Sequence, residues 1–472
     1  MKATAAAYRD RVQTVWRNVQ ANRRLRPADF VNGYKMVQPL RSLGNPSVSF
    51  DMAQLALEMF TRLRIQYEPQ QATRPPVAPM PTRRAPGERG LRVGLFVDAP
   101  DHLSGVCLTI GEWQDQARRH GCSLTVHTCA PDPDEGGFVS FRPMGSVRLD
   151  AYSGLTVHVP RMEEIASYAE NMDFDVIHVS TPGPMGLLGL LAARQRSLPV
   201  CGTYHTDFPR YAGELTGDPA LEQVGWQFMR WFYGQLDRVA APTESIRREL
   251  IAHGFDAERV QVVGRGVDTT LFEPSRRDEA RRTEQGHNKS LQLLYVGRLS
   301  REKNLETLAS AFKRLLPTRP DISLTLVGEG PFRTELERLL AGTPVTFAGT
   351  LKGEALARAY ASADLFVFPS KTDTFGRVVL EAQASGLPVV VSDQGGPKDA
   401  MLDGITGVVV DALDEQRLAA AIDALTDDPA RMAAFSTAAR EFAGERTHAS
   451  SFKAFWNLHH TIHVQPQHQV TP

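Results

Sequence analysis

Residues 365–392 read LFVFPSKTDTFGRVVLEAQASGLPVVVS. The apolar runs 365–368 and 388–392 are short and apolar enough to be parallel strands that are buried on both faces. Between them, a polar loop leads into a helix that we expect to begin near Gly376. A strand, a helix and a second strand in this order predict parallel pairing within one sheet.

The same alternation extends along the chain in both directions. The second half adds apolar runs at 291–296, 323–327, 345–348 and 407–410, and the first half has them at 91–97, 123–128, 155–159, 174–179, 199–204, 237–241 and 260–263. Polar and charged residues dominate 264–290, and we predict that the boundary between two domains lies in this segment. The pattern predicts two doubly wound α/β domains whose ligands lie in the cleft, at the carboxyl ends of the strands.

The two ends of the chain lack this alternation of apolar runs and helical patterns. Residues 1–68 contain helix-like stretches near 5–22 and 51–66, which predict a helical extension. Residues 69–90 are rich in Pro and Arg and are typical of a linker. The predicted order is therefore an extension at 1–68, a linker at 69–90, a first domain at 91–270, a second domain at 271–435, a C-terminal helix at 436–463 and a disordered tail at 464–472.

Composition excludes some classes of protein. The 472 residues are 42% hydrophobic and 23% charged, which is typical of a globular chain. The formal net charge of −1 disfavours a dedicated nucleic-acid binder, which is usually far more basic. Residues 1–90 are nevertheless basic, with 15 Lys and Arg against 6 Asp and Glu. That arm is either a solvated extension or a contact for an anionic membrane surface.

The cysteines and the N-terminus favour a cytoplasmic protein. The four cysteines form no CxxC pair, so we expect reduced thiols rather than disulfides or a zinc site. After Met1, no apolar segment typical of a signal peptide follows, and no apolar run reaches the roughly 18 residues that cross a membrane. A peripheral contact with the inner face of the membrane stays open.

The first segment with chemical character is residues 297–304, GRLSREKN. It follows a predicted strand and opens the helix predicted for 304–316, so Arg298 and Lys303 gather near a helix N-terminus. That end already carries a partial positive charge, and a phosphate group would offset it and accept the free N–H groups. A solvated basic loop is the alternative.

The second segment is residues 369–382, at the end of the strand predicted for 365–368. Asp373 and Glu381 place two carboxylates at the mouth of its loop, and carboxylates accept hydrogen bonds from sugar or ribose hydroxyls. Gly376 lets a ligand approach the backbone, and we expect the N–H groups of 376–379 to face that ligand. The alternative is a capped helix whose Arg377 and Glu381 form a surface pair.

Other strand ends carry weaker signals. Glu329 and Gly330 lie in a turn, Ser104 and Gly105 precede a helix, and His205 lies in the cluster Tyr204-His205-Thr206-Asp207. The Asp-x-Asp pairs lie away from the phosphate-type loops, and the C-terminal histidines look like part of a loose polar tail, so we expect no metal site. The chain lacks GxGxxG, GxxxxGK[ST] and GxSxG motifs, which disfavours a dehydrogenase, an NTPase and an α/β-hydrolase.

Several of these segments together resemble a known family. GRLSREKN, LVGEGP, FAGTLKGEALARAYASADLFVFPS and TDTFGRVVLEAQASGLPVVVSDQGGP resemble the donor-binding domain of family 4 retaining glycosyltransferases, and GTYHTDFPRY and GRGVDTTLF resemble its first domain and linker. The resemblance covers roughly residues 91–460. It implies a GT-B fold, which consists of two Rossmann-like domains with a cleft between them. It also implies that the terminal helix around Trp456 crosses back onto the first domain.

The resemblance also implies roles for residues. Arg298 and Lys303 match the pair on the donor diphosphate, and Glu381 matches the second acid of the E-x7-E motif, on the ribose. Asp373 stands where the family usually has Glu, against the transferred sugar. The remaining implied donor contacts are Gly105, Glu329, Gly330, Phe375, Gly376, Arg377 and Val378. His205 matches the histidine near the reacting sugar, and Tyr204, Thr206 and Asp207 are candidates for the acceptor side.

The implied activity is transfer of a hexose from a nucleotide-diphosphate sugar, of the GDP-mannose or UDP-glucose type, to a lipid or glycan acceptor with an α-linkage. No metal or other cofactor is expected. Two alternatives stay open: an epimerase or phosphorylase of the same fold, and a catalytically silent nucleotide-sugar binder. The aromatic segment 221–238 either packs in the core or forms part of a lipid-facing acceptor surface.

Overall fold

The computed structural model describes most of the chain from residue 90 onward. The described residues are 65–69, 90–98, 105–130, 138–149, 155–161, 164–165, 168, 171–217, 219–278, 291–411 and 413–464. Most of the predicted N-terminal extension and linker, Ser104 and the tail beyond 464 lie outside these residues. Both predicted α/β domains lie within them.

The first domain is built on a seven-stranded parallel sheet. Its strand order is β10-β9-β8-β7-β2-β3-β4. The strands are β2 (Arg92–Phe96), β3 (Ser123–Cys129), β4 (Val139–Phe141), β7 (Val176–Val179), β8 (Val200–Thr203), β9 (Arg238–Ala241) and β10 (Val260–Val262). The helices are α1 (Gly105–Arg119), α2 (Pro184–Gln195), α3 (Phe208–Thr216), α4 (Pro219–Gly234) and α5 (Glu244–Ala252). The central strands are buried along their whole length, as expected for a sheet covered on both faces.

The second domain has a six-stranded parallel sheet in the order β13-β12-β11-β14-β15-β16. The strands are β11 (Leu291–Val296), β12 (Ile322–Val327), β13 (Val345–Gly349), β14 (Leu365–Phe368), β15 (Val389–Ser392) and β16 (Gly407–Val410). The helices are α6 (Leu305–Leu315), α7 (Arg333–Leu339), α8 (Gly353–Ala361), α9 (Arg377–Ala384), α10 (Glu415–Thr426) and α11 (Pro429–Gly444). Every strand predicted here is confirmed, and so is the helix that begins near Gly376.

A third sheet was not expected. It is antiparallel, in the order β1-β5-β6, with β1 at Ile65–Pro69, β5 at Pro143–Leu149 and β6 at Leu155–Pro160. The prediction that 155–159 joins the parallel sheet is therefore wrong, and β4 takes the edge position beside β3. The helix predicted to end at 66 and the linker predicted to start at 69 are also wrong at these bounds, because 65–69 pairs with β5.

The C-terminal helix α12 (His448–Val464) returns to the first domain, as the resemblance implied. Phe452, Phe455 and Leu458 are buried in the apolar cluster that also contains β2 and α1 side chains. The ring of Phe455 stacks on Trp113 of α1 with the ring centroids 3.9 Å apart. The predicted single element at 436–463 is in fact the end of α11 followed by α12.

The aromatic segment 221–238 packs in the core. On α4, Trp226, Phe232 and Tyr233 are buried among first-domain side chains, and Phe228 and Trp231 pack against the same cluster. The alternative of a lipid-facing surface is therefore wrong for Trp226, Phe232 and Tyr233, whereas Phe228 and Trp231 are partly exposed. None of the helices in the described part of the chain combines the length and the apolar character needed to cross a membrane.

Candidate functional site

The loop after β11 carries a lysine into the interior between the domains. It contains a short 3₁₀ turn, Arg301–Lys303, and Asn304 then takes a left-handed conformation with φ of 58°. Asn tolerates this conformation better than most residues, and its Oδ1 accepts a hydrogen bond from Thr307 at 2.8 Å. This turn ends the loop and starts α6 at Leu305.

Lys303 forms a buried ion pair with Asp373. Its side chain is 10% exposed, and Nζ lies 2.8 Å from Oδ2 of Asp373. Burial disfavours the charged amine, but the Asp373 carboxylate holds the pKa of Lys303 well above its usual value. The two residues come from loops after neighbouring strands, β11 and β14, so the sheet brings them together. Arg298 lies in the same loop as Lys303, partly exposed.

The loop after β14 is held by the next loop of the sheet. The backbone oxygen of Asp373 accepts a hydrogen bond from Gly396 N at 2.8 Å, and its carboxylate accepts one from the Ser370 hydroxyl. Gly376 has φ of 80°, and a Cβ atom there would lie 3.0 Å from Pro397. Gly is therefore required by both conformation and space.

Helix α9 begins directly after this loop. No described side chain caps its first turn, and that turn carries no acidic residue. Val379 N bonds to the carbonyl of Gly376 at 2.9 Å, so the amides left to face a ligand are those of residues 376–378 rather than 376–379. Phe375 and Val378 are partly buried against the domain core.

Glu381 lies one turn into α9 and is 6% exposed. Oε2 accepts a hydrogen bond from the Tyr360 hydroxyl at 3.0 Å, and Oε1 accepts one from Nε of Arg377 at 2.9 Å. The predicted i,i+4 pair therefore exists, but it is buried rather than on the surface. Each carboxylate oxygen keeps a lone pair for a hydroxyl donor.

Sequence reasoning missed the partner of Arg377 in the other domain. The guanidinium also forms an ion pair with Glu112 of α1, and Glu112 Oε2 lies 3.4 Å from Nε2 of His448. Burial raises the pKa of Glu112, and burial lowers that of His448 to about 4, so the imidazole is neutral. A possible signal was the position of Glu112, two helical turns after Gly105 on α1.

His205 also touches both domains. Its backbone oxygen accepts a hydrogen bond from Thr374 Oγ1 of the second domain at 2.6 Å. Its Nδ1 lies 3.0 Å from Nη2 of Arg265. Burial, and then the Arg265 charge, hold the pKa of His205 well below its usual value. The structure thus brings His205 beside the loop that carries Asp373.

The acceptor-side candidates divide into two groups. Tyr204 is 1% exposed and Asp207 is 2% exposed, and the Tyr204 hydroxyl donates to Oδ1 of Asp207 at 3.1 Å. Asp207 also caps α3, because its side chain accepts from the backbone N–H of Arg210. These two residues position the loop and are shielded from an acceptor in this conformation. Thr206 is partly exposed.

The remaining predicted residues lie after β12 and at the start of α1. Gly330 packs on the loop after β11, since a Cβ atom there would be 2.2 Å from the carbonyl oxygen of Leu299. Glu329 is half-exposed and pairs with Arg333. Gly105 is the first residue of α1, and a Cβ atom there would meet nothing within 4 Å, so this position has room for a ligand.

One buried cluster of the described residues has the spacing of a metal site. The ligand atoms of His178, Cys201 and His459 lie within 4.8 Å of one another. Hydrogen bonds account for the ring nitrogens, however. Nδ1 of His459 donates to the Phe455 carbonyl at 2.8 Å, so its Nε2 accepts from His178 Nδ1, at 3.0 Å. His178 Nε2 then accepts from Thr203 at 3.0 Å. We interpret the cluster as a neutral hydrogen-bonded network.

A separate cavity of about 300 Å³ opens between α5 and the loop after β15. Its lining mixes two cations, Arg210 and Lys398, with two carboxylates, Glu249 and Asp393. It shares no residue with the predicted donor site. Arg210 pairs with Glu249, and its Nη1 donates to the carbonyl of Lys371 at 2.9 Å, so this region also joins the two domains.

Comparison with known families supports the resemblance. A family profile described as Glycosyl transferases group 1 matches residues 276–442, and one described as Glycosyltransferase Family 4 matches residues 104–271. The first match spans most of the second domain and the second spans most of the first domain. Both halves of the cleft therefore fall within matched regions.

Among curated proteins, the chain is similar to a GDP-mannose-dependent alpha-mannosyltransferase of Mycolicibacterium smegmatis, with 35% identity over 68% of this chain and 84% of the relative. It is also similar to the sulfoquinovosyl transferase SQD2 of Arabidopsis thaliana, with 32% identity over 74% of this chain and 69% of the relative. Among solved structures, Anabaena HepE, in complex with UDP and glucose, gives a TM-score of 0.64 at 19% identity over 79% of this chain and all of HepE. That last likeness shows the fold alone.

Proposed function

The chain belongs to glycosyltransferase family 4, and from that premise we propose that it transfers a hexose from a nucleotide-diphosphate sugar to a lipid or glycan acceptor with retention at the anomeric carbon. The curated proteins to which it is similar include three GDP-mannose-dependent alpha-mannosyltransferases, at 32–35% identity. We therefore propose GDP-mannose as the first donor to test, ahead of UDP-glucose.

The observation that carries the proposal is the Lys303–Asp373 pair beside the uncapped start of α9. In this proposal, Arg298, Lys303 and the amides of residues 376–378 bind the donor diphosphate. An anion there would satisfy the free N–H groups and the helix dipole together. Gly105, at the start of α1, gives the phosphates room on the side of the first domain.

Glu381 would bind the ribose. It is fixed by Tyr360 and Arg377, so its orientation is set before the donor arrives. Asp373 would hold hydroxyls of the transferred sugar, with Phe375 and Val378 beside it. Glu329 and Gly330, at the end of β12, would line the far end of the donor. Removal of these preorganised contacts would weaken donor binding, because the ribose and sugar hydroxyls would lose their hydrogen-bond partners.

We propose front-side attack assisted by the leaving group. The bond from the anomeric carbon to the phosphate oxygen breaks, the acceptor oxygen bonds to the same face, and the acceptor proton moves to the departing phosphate. Two first-domain carboxylates of the described residues, Glu112 and Asp207, have structural partners: Glu112 pairs with Arg377 and Asp207 caps α3. This supports a mechanism without a carboxylate nucleophile. Lys303 and Arg298 would stabilise the charge that develops on the diphosphate.

No metal is required in this scheme, because two cationic side chains take its electrostatic role.

We also propose that the basic arm, residues 1–90, contacts anionic membrane surfaces where the acceptor is a lipid. Full-length and arm-deleted protein should then differ in co-sedimentation with anionic vesicles at low salt. Equal binding of the two proteins would exclude that contact.

The test is donor turnover by the purified full chain, with GDP-mannose and UDP-glucose, in the presence of EDTA. Lys303→Ala and Glu381→Ala should each lower kcat/KM by about 10²–10³. Arg301→Ala is the matched control, because Arg301 lies in the same 3₁₀ turn as Lys303 but is exposed and pairs with Glu306. Near-normal transfer in both site variants would refute the assigned roles, and tight donor binding without turnover would favour a silent binder. Loss of activity in EDTA would contradict metal independence.

A further inference from the structure

Arg265 is a buried cation at the point where the chain passes from the first domain to the second. It is 8% exposed. The backbone on both sides of it is fixed to the C-terminal crossing, because Ser451 Oγ donates to the carbonyl of Gly264 at 2.8 Å and Val267 N donates to that of Arg446 at 2.9 Å. A Cβ atom at Gly266 would lie 2.3 Å from the carbonyl oxygen of Thr447, so the two segments are in close contact.

The Arg265 side chain reaches from this crossing into the cleft region. Its guanidinium lies over the ring of Trp113, 5.0 Å from the centroid, and its Nη2 donates to Nδ1 of His205 at 3.0 Å. The position of the guanidinium is therefore set by a ring face, by one hydrogen bond and by a fixed backbone.

The hydrogen bond determines the tautomer of His205. Arginine is a donor only, so Nδ1 of His205 must offer its lone pair, and the ring proton of the neutral imidazole must be on Nε2. A neutral His205 of this tautomer has no free lone pair left. It can donate from Nε2 but cannot accept a proton from an attacking hydroxyl.

Two donors in this pair have no partner among the described residues. Nε2 of His205 and Nη1 of Arg265 are both buried and make no hydrogen bond there. Buried donors are rarely left unpaired in folded proteins, and a ligand oxygen would satisfy them. His205 lies at the end of β8, and its carbonyl is bonded to Thr374, the neighbour of Asp373.

The charges around His205 also keep it neutral. Arg265 faces it from the crossing and opposes its protonation, His178 on β7 is itself a buried neutral imidazole, and Thr374 from the second domain is uncharged. From α1, Trp113 faces the ring, while Glu112 acts on Arg265. Burial lowers the pKa of His205 more than these charges do.

We propose that Arg265 is a positioning residue that fixes His205 as a neutral Nε2–H donor toward an oxygen of the donor sugar or its leaving phosphate, and thereby excludes His205 as a general base. The tautomer follows from the hydrogen bond alone. The contact with the donor rests on the proposed function, so the experiment measures the two separately.

The first measurement is independent of activity. In protein labelled with ¹⁵N-histidine, NMR should report His205 as the Nε2–H tautomer from pH 5.5 to 8, with its signal assigned by loss in His205→Gln. Arg265→Gln keeps a donor, whereas Arg265→Met has none, so only the Met variant should change the tautomer; loss of the Arg265 charge should also raise the pKa of His205, although burial continues to lower it. Arg259→Met, at a partly exposed arginine that pairs with Asp256, is the matched control.

The second measurement is kinetic. Arg265→Met should lower kcat by about tenfold, the value of one hydrogen bond, with KM for the donor changed less. Arg265→Lys and Arg265→Gln should recover part of kcat. An Nδ1–H tautomer in the unmodified protein, or an unchanged tautomer in Arg265→Met, would overturn the proposal. If the protein turns over no donor, the proposed function fails, while the NMR result still decides the tautomer.

Discussion

Asp373 occupies the position at which the family resemblance implies a Glu, and its partner explains how the shorter side chain is held. Its carboxylate meets Lys303 at 2.8 Å and also accepts a hydrogen bond from Ser370. A glutamate would place the carboxylate one methylene further from the backbone. The side chain would then have to bend away from Lys303 or move into the space proposed for the sugar.

Asp373→Glu is therefore expected to change donor choice more than folding. One methylene in a binding pocket is worth about 10–200-fold in discrimination, so the ratio of kcat/KM for GDP-mannose to that for UDP-glucose should shift by at least about tenfold. Steady-state kinetics with both donors measure this ratio. Asp256→Glu, at an exposed residue, is the control, and an unchanged ratio in Asp373→Glu would mean that position 373 does not contact the sugar.

Asp373→Asn tests the ion pair itself. It leaves the Lys303 amine buried beside a neutral amide, so we expect donor turnover to fall sharply and the protein to lose stability. The pair is partly exposed on the Asp373 side, which limits the loss to about 1–3 kcal/mol rather than the larger values of fully buried pairs. Thermal unfolding and donor turnover report the two effects. Unchanged melting and turnover together would contradict the pairing.

At the level of elements, α12 is held to the first domain by apolar packing and by the histidine network. His459 was interpreted from the sequence as part of a loose tail, and that interpretation is wrong, because His459 is fully buried and bonded to His178. Burial lowers the pKa of His459 to about 3, and it lowers that of His178 well below normal. Both rings are therefore neutral in the folded protein.

This network predicts loss of stability in acid. An unfolded His459 takes up a proton below about pH 6.5, whereas the folded one does not until about pH 3, so its contribution is present above 6.5 and is lost as the pH falls toward 3. The loss is about 1.4 kcal/mol for each pH unit. His459→Gln should be less stable than the unmodified protein at pH 7 and show a shallower decline to pH 5 in urea unfolding.

His463→Gln is the matched control, because His463 is exposed near the end of the same helix. It should leave both stability and pH response unchanged. Equal slopes for His459→Gln and the unmodified protein would show that His459 already titrates normally in the folded state.

The antiparallel β1-β5-β6 sheet was not predicted, because local sequence patterns do not show which distant strands pair. Strand β1 reads IQYEP, with Ile65 and Tyr67 alternating with polar residues, a period that the nearby helical spacing of apolar residues obscured. Its partner β5 is distant in sequence. The pairing depends on where the first domain places β5, which local periodicity does not encode.

At the scale of the whole molecule, the two domains meet through specific polar contacts. Ser245 Oγ donates to Oδ1 of Asp399 at 2.8 Å, and the Arg377–Glu112 pair joins α9 to α1. Arg377 holds Glu381 at the same time, so the contact between domains and the proposed ribose site share one guanidinium. Donor binding and domain closure should therefore be coupled.

A double-mutant cycle measures that coupling. Glu112→Gln should weaken closure and lower kcat/KM by about tenfold, with the stability of each domain little changed. Because Glu112 acts through Arg377, the double variant Glu112→Gln/Arg377→Gln should cost less than the sum of the single variants, by about 0.5–3 kcal/mol in transition-state energy. Glu335→Gln, at an exposed pair on α7, is the control. Additive effects would show that the pair does not couple the domains.

Local patterns were enough to predict the two parallel sheets, the loops after β11 and β14, and the positions of Lys303, Asp373, Gly376 and Glu381 at those loops. These features are local, because the hydrophobicity of a strand, the start of a helix and the charge of a loop all depend on residues that are adjacent in the sequence. Three further features emerge only when the chain is folded: Glu112 pairs with Arg377, Arg265 contacts His205, and His459 is buried against His178. Each of these contacts joins segments that are far apart in the chain. Domain packing and the return of α12 bring those segments together, and local sequence patterns contain no information about such long-range contacts.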